Sequence, residues 1–293
     1  MRYLSSHGVI KETEKDKFTY TNVTKNLVAI GSQAGICHNF ETMGPQFQAL
    51  PSFLKQSKYQ DITDPSHTVM QAAFKFEGMA FDWMGLHPEN LAYFNDYMAG
   101  RRHDTNDEWL SVYPVEAETA GWKPEDPVFV DMGGSIGHQC AKLKAKYPNL
   151  PGRVILQDLP HTIAVALPTP GVENMSHDLF GPQSVKGAKF YYMRAVLHDW
   201  PDHVARKILS HINAAMVKDS VLLIDEMVLP DVGVYSQVAA IDLAMMCATG
   251  STERTESQWK TLFAKEGLEL IETRTYKPTS YESVMKVVRK QDV

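Results

Sequence analysis

The sequence predicts an α/β protein: a mainly parallel sheet with flanking helices, preceded by a mostly helical N-terminal domain with a partial winged helix. Three observations predict it. From residue 128 onward short apolar runs alternate with helical repeats. The stretch Val128–Gly137, VFVDMGGSIG, joins one such run to a helical pattern (Ile136, Cys140, Leu143, Tyr147) through glycines at 133, 134 and 137. Acidic residues, Asp131, Asp158 and Asp178, stand at the ends of successive runs. Strand, tight turn and helix start form the first unit of a Rossmann-like sheet, whose ligands collect at the carboxyl ends of the strands.

In chain order, Arg2–Ser6 reads as a helix end, followed by short strands Val9–Thr13 and Lys17–Thr21 about the charged turn Glu14–Asp16. This is wing-like, and the chain is expected to begin inside a winged helix whose earlier helices are missing. The wing mixes both signs of charge, which disfavours DNA reading. Cys37–Leu50 carries Phe40, Met43, Phe47 and Leu50 on one side and is expected to end near Pro51. Met70–Met84 is rich in aromatics and methionines, and a helix starting at Pro88 holds Leu91, Phe94 and Met98. Such residues form a helical core or line an apolar pocket. Val115–Pro127, with two prolines, reads as the joint, giving domains 1–114 and 115–293.

Beyond the joint, strands are expected at Val128–Gly133, Val154–Asp158, Val172–His177, Phe190–Leu197, Val221–Val228, Leu268–Tyr276 and Ser283–Arg289. Helices fill the gaps, among them His203–Met216, Val238–Cys247 and Glu256–Glu266. A net charge of −6 argues against nucleic acid as a partner. No apolar run reaches the roughly 20 residues of a membrane span. Three scattered cysteines, Cys37, Cys140 and Cys247, suggest reduced thiols and a cytoplasmic location.

The glycine turn indicates the ligand. A dinucleotide fingerprint requires glycine at 132, where Met132 stands. Asp131 would repel a pyrophosphate but suits a cation such as S-adenosylmethionine, whose sulfonium and ammonium are positive. Taken alone, such a turn is often only a turn. Asp158 at its strand end can accept both ribose hydroxyls, and Asp178 can hold the adenine amino group with Leu179 over the ring; each also suits a helix cap or turn. In AVLHDWP, His198 falls at the next strand end, where an imidazole with an ordinary pKa near 6.5 is a natural base. Glu226 follows the neighbouring strand and could fix its tautomer, with Glu253 as a second carboxylate. The alternative is a structural histidine–carboxylate contact. His38 sits among apolar residues, where a lone histidine is usually a satisfied core residue and otherwise touches substrate.

The ordered segments YYMRAVLHDW, LLIDEMVLPD and IDLAMMCATGSTERTESQW, with VDMGGSIG and LQDLPHT, resemble the plant caffeate-type and fungal small-molecule O-methyltransferases. The resemblance is strongest from 128 to 267. It implies His198 as base, with Glu226 and Glu253 beside it. It implies S-adenosylmethionine contacts from Asp131, Gly133, Gly134, Gly137, Asp158, Leu159, Asp178, Leu179, Arg194 and Trp200. The acceptor pocket would take Met98, Asp199, Met245, Met246 and Thr249, together with His38. A homodimer is expected, although the family's N-terminal dimerisation helices are missing. Arg101 stands where plant members often have a polar histidine.

The chemistry implied is displacement at the methyl of S-adenosylmethionine by an acceptor hydroxyl, leaving S-adenosylhomocysteine. A phenol near pKa 10 facing a histidine near 6.5 is mismatched by about 3.5 units, or about 5 kcal/mol. No metal is expected, since neither H-E-x-x-H nor paired C-x-x-C spacing occurs. A rival reading comes from similar fungal proteins that retain the cofactor yet catalyse pericyclic reactions or dehydrations. In one branch the base position carries arginine, and a histidine near the present His38 serves the polyketide-type substrate. A non-catalytic binding module is disfavoured by the complete acid–base set.

Overall fold

The structure is a computed structural model that describes residues 1–101, Arg101 by its backbone alone, and 108–292. The side chain of Arg101 therefore lies outside the described residues. The chain forms two compact units, Met1–Thr105 and Asn106–Val293. The division falls earlier than residue 114 because Trp109, Leu110, Tyr113 and Val115 are buried among Val128, Phe129 and Phe190. Trp109 stacks on Phe129 with ring centroids 5.8 Å apart and donates its indole N–H to Gln139 at 3.1 Å. An aromatic of this size brings its short helix, Trp109–Val112, into the core of the second unit.

In the first unit, strands β1 (Ile10–Glu14) and β2 (Lys17–Tyr20) pair antiparallel, as the wing pattern required. Helix Ile30–Cys37 runs through a π-helical stretch, His38–Met43, into helix Gly44–Gln56. Pro51 does not end that helix: it is exposed within it, so water can serve the carbonyl that loses its amide partner. The 70–84 region is two helices, Val69–Phe74 and Ala80–Leu86, because Lys75 (φ 55°) and Gly78 (φ 110°) turn the chain between them. Helices Ile30–Cys37 and Pro88–Arg101 cross at two glycines; a Cβ on Gly31 would stand 2.9 Å from the Gly100 Cα. Only glycine allows that approach.

The second unit holds a seven-stranded sheet: β3 (Pro127–Met132), β4 (Arg153–Asp158), β5 (Val172–Ser176), β6 (Phe190–Arg194), β7 (Val221–Met227), β8 (Leu268–Lys277) and β9 (Glu282–Arg289). Their order is β5-β4-β3-β6-β7-β9-β8, with β9 running against the other six. Alternation within the strands separates two cores. Val130, Met132, Tyr191, Met193, Leu222 and Ile224 face one layer of helices, and Phe129, Tyr192 and Leu223 the other. The chain leaves β3 towards β4 and β5, then crosses back to β6. The β3–β6 gap is thus the switch point where a ligand can settle. Strand β6 stops at Arg194, short of Leu197, and a single 3₁₀ turn, Leu197–Asp199, carries His198. Among the described residues no helix is long and apolar enough to cross a membrane.

Candidate active site

The glycine turn hangs on the end of β4: the N–H groups of Gly133 and Gly134 donate to the Gln157 carbonyl at 2.8 and 3.2 Å. Gly133 (φ 67°) has a backbone that L side chains rarely adopt. A Cβ on Gly134 would lie 2.5 Å from the Asp131 carboxyl carbon. One on Gly137 would lie 2.9 Å from Leu156. The glycines therefore serve the turn's own packing as well as any ligand. Asp158 accepts the N–H groups of Ser135 and Leu159, one on each oxygen, both at 2.8 Å. Its remaining lone pairs can take hydroxyls. Asp131 is buried and receives the Cys140 thiol at 3.6 Å; burial pushes its carboxyl up to about 7.

Leu179 and Val196 both approach Gly133, so the exits of β5 and β6 close over the turn. Asp178 is exposed and accepts the Phe180 N–H at 2.9 Å, a turn contact that leaves its other oxygen available. Leu159 is exposed beside it in sequence to Asp158. Arg194 is drawn inward, its Nε 3.6 Å from Asp225, whose carboxylate also accepts the hydroxyls of Tyr192 and Tyr276 at 2.6 and 2.7 Å. Trp200 packs edge-on against Phe180 with centroids 4.9 Å apart. Three carboxylates at one end of the sheet, beside a turn stripped of side chains, fit a cationic and hydroxylated cofactor.

Beyond β6 lies the imidazole. Nδ1 of His198 is hydrogen-bonded to Glu253 Oε1 at 2.8 Å, and Nε2 lies 3.7 Å from Asp199 Oδ1. Glu226 was expected to hold the imidazole, but its Oε1 accepts the backbone N–H groups of Val196 and Leu197, both at 2.9 Å, and of His198 at 3.4 Å. Its other oxygen is 4.0 Å from Nδ1. Glu253 thus fixes the ring, while Glu226 fixes the turn. Burial alone would lower the His198 pKa; the carboxylates of Glu226, Glu253 and Asp199 outweigh it and raise the imidazole to about 10. Glu226 is itself pushed up by burial. The expected value near 6.5 is corrected by this acidic cage. His198, Glu226 and Glu253 each place a potential ligand atom within 4.8 Å of the others, a set that could also hold a divalent ion.

Met245 and Met246 are half-buried on helix Ser236–Thr249, and Thr249 is buried at its end, donating to the Met245 carbonyl at 2.9 Å. Thr249 also meets Ser251 at 2.8 Å, and Ser251 donates to the His198 carbonyl. This joins the helix carrying Met245 to the turn that carries His198. His38 and Met98 belong to the first unit, where His38 is buried beside Phe94 and Tyr97 with ring centroids 5.6 and 5.8 Å away. Sequence reasoning missed Ser251, Arg254 and the Asp225–tyrosine group. Polar residues in a loop read as solvated, and the one available signal was Arg254's place beside Glu253.

A switch-point sheet, a glycine turn among carboxylates and a histidine–glutamate pair at the next strand end define a class I methyltransferase fold. Residues 74–269 match the model of the O-methyltransferase domain, and the chain belongs to that family, which is S-adenosylmethionine-dependent. It is 42% identical over 275 residues to O-methyltransferase lepI of Aspergillus flavus, covering 92% of this chain and 70% of that one. It is also 42% identical over 280 residues to demethylsterigmatocystin 6-O-methyltransferase of Aspergillus parasiticus, covering 94% and 71%. A solved structure described as a pericyclic reaction enzyme superposes with a TM-score of 0.90 at 40% identity, covering 98% of this chain and 75% of its own. LepI in complex with SAM gives the same values.

Proposed function

We propose that this chain is a cytoplasmic S-adenosylmethionine-dependent O-methyltransferase acting on a phenolic or enolic hydroxyl of a small secondary metabolite, with His198 as general base. The observation that carries it is the His198 imidazole, held through Nδ1 by buried Glu253, just past the carboxyl end of β6. Bound S-adenosylmethionine supplies an electrophilic methyl on a sulfonium that departs as a neutral thioether. Asp158 and Asp178 would hold its ribose and adenine, and Leu179 would cover the ring. Asp131, Gly133, Gly134, Gly137, Leu159, Arg194 and Trp200 would line its bed. Asp199, Met245, Met246 and Thr249 would contact the acceptor.

Nε2 of His198 accepts the acceptor proton as oxygen bonds to the methyl carbon. An imidazole raised to about 10 lies close to a phenol near 10, which removes most of the cost of the transfer itself, but at neutral pH the ring is mostly protonated and only its minor neutral form can act as base. Glu253 stabilises the imidazolium that results.

A second reading, a pericyclase or dehydratase that retains the cofactor, is supported by likeness to the pericyclic reaction enzyme and by His38, whose buried Nδ1 has no partner among the described residues. Incubation with S-adenosylmethionine and candidate phenols should give S-adenosylhomocysteine equal in amount to methylated product, unaffected by a metal chelator. H198Q should lose at least about 100-fold in rate while the cofactor still raises Tm. An isomerised or dehydrated product without cofactor turnover would select the second reading.

A further inference from the structure

We propose that Arg254 is a positioning residue for His198, its guanidinium clasping the turn Leu197–Trp200 from both ends. The assignment rests on the reading of His198 as base. Arg254 is 1% exposed although it carries a permanent charge. Nη1 donates to the Leu197 carbonyl at 3.0 Å, Nη2 to the Trp200 carbonyl at 2.7 Å, and Nε to Asp202 at 3.0 Å. The two carbonyls flank His198 and Asp199. The guanidinium lies over the Trp259 ring, 5.0 Å from its centroid. Its own backbone is fixed too: the Leu229 N–H donates to the Arg254 carbonyl at 3.0 Å, tying the residue to the exit of β7.

The turn needs such a hold. Ala195 sits at φ 50°, a conformation that a residue with a side chain keeps only when its surroundings enforce it. Glu226 on β7 binds the turn's N–H groups, while Ser251 and Arg254, on the loop after helix Ser236–Thr249, bind its carbonyls. That loop also carries Glu253, the partner of Nδ1. One segment therefore supplies both the carboxylate that holds the ring and the cation that holds its backbone. Lysine cannot replace the cation, because a single ammonium lacks the fixed fork and the planar face that span two carbonyls and rest on an indole.

The test is histidine 13Cε1 NMR on the ligand-free protein, with H198Q identifying the resonance. The groups facing His198 are Glu226, Glu253 and Asp199, so a loosened turn weakens its contact with them. Wild type should titrate well above the ordinary histidine range, and R254K should titrate at least one pH unit lower. In turnover R254K should lose about 100-fold in kcat with the KM for S-adenosylmethionine within about twofold. A wild-type titration and kcat in R254K would overturn the proposal. If R254K does not fold, D202N, at a half-exposed carboxylate, should lower the same titration by a smaller amount, and no shift there would overturn it. The NMR arm needs neither methyl donor nor acceptor. A wild type that methylates nothing refutes the reading of function and leaves the clasp standing on its own result.

Discussion

His198 shows how one environment resets a residue. Burial lowers the imidazole's proton affinity, but the nearby carboxylates of Glu226, Glu253 and Asp199 raise it further, to about 10. Because the folded value exceeds the ordinary 6.5, the stabilisation from protonated His198 is complete below about 6.5 and disappears as pH rises through about 10. Glu226, raised by burial, acts in the same direction, since its neutral form is favoured in the fold. The stability difference between wild type and H198Q, measured by urea denaturation, should therefore be largest near pH 6 and shrink towards pH 10. On the proposal that the neutral imidazole is the base, kcat/KM should rise with pH over the same interval. A constant difference would mean that the carboxylates do not act on this ring. The histidine was legible in the sequence from its place after an apolar run; its proton affinity was not, because Glu226 and Glu253 lie 28 and 55 residues away.

At the scale of elements, the turn from β3 to helix His138–Lys146 was legible in detail, since glycine spacing reports local backbone and steric needs. Gly134 lacks the left-handed backbone of Gly133 and Gly137, so its requirement is steric: a Cβ there would meet both Asp131 and Leu156. G134A should destabilise by about 1–3 kcal/mol through overpacking and weaken cofactor binding. G85A, on helix Ala80–Leu86 with open space around it, should be neutral or stabilise by about 0.5–1 kcal/mol. Thermal denaturation checks both; equal effects would mean that the turn yields freely. Pro51 was misread as a helix end because a local rule was applied where exposure removes much of its cost. The split between Val69–Phe74 and Ala80–Leu86 escaped because an aromatic-rich stretch reads as one continuous apolar face.

For the whole molecule, composition and charge disfavoured nucleic acid, and alternation specified the sheet. The first unit carries exposed apolar side chains on its surface, among them Tyr3, Val23, Val28, Ile30, Ile36 and Phe40. We expect this surface to be covered in a homodimer, and sedimentation equilibrium at micromolar concentration should give twice the chain mass of 32.9 kDa. A monomer at that concentration would leave the surface to another occupant.

By itself the sequence determined the fold class, the glycine turn after the first strand of the sheet and the place of His198 past a strand end, because periodicity and glycine placement are local properties of the chain. Only the tertiary structure decided which glutamate holds the ring, which holds the backbone, and that Arg254 is buried against the turn. Those roles depend on strand order, which sets β6 beside β7 and returns the loop after helix Ser236–Thr249 to the same place. Hydrogen bonds and charges act over a few ångströms of space, and the folded sheet brings those distances about between residues remote in sequence.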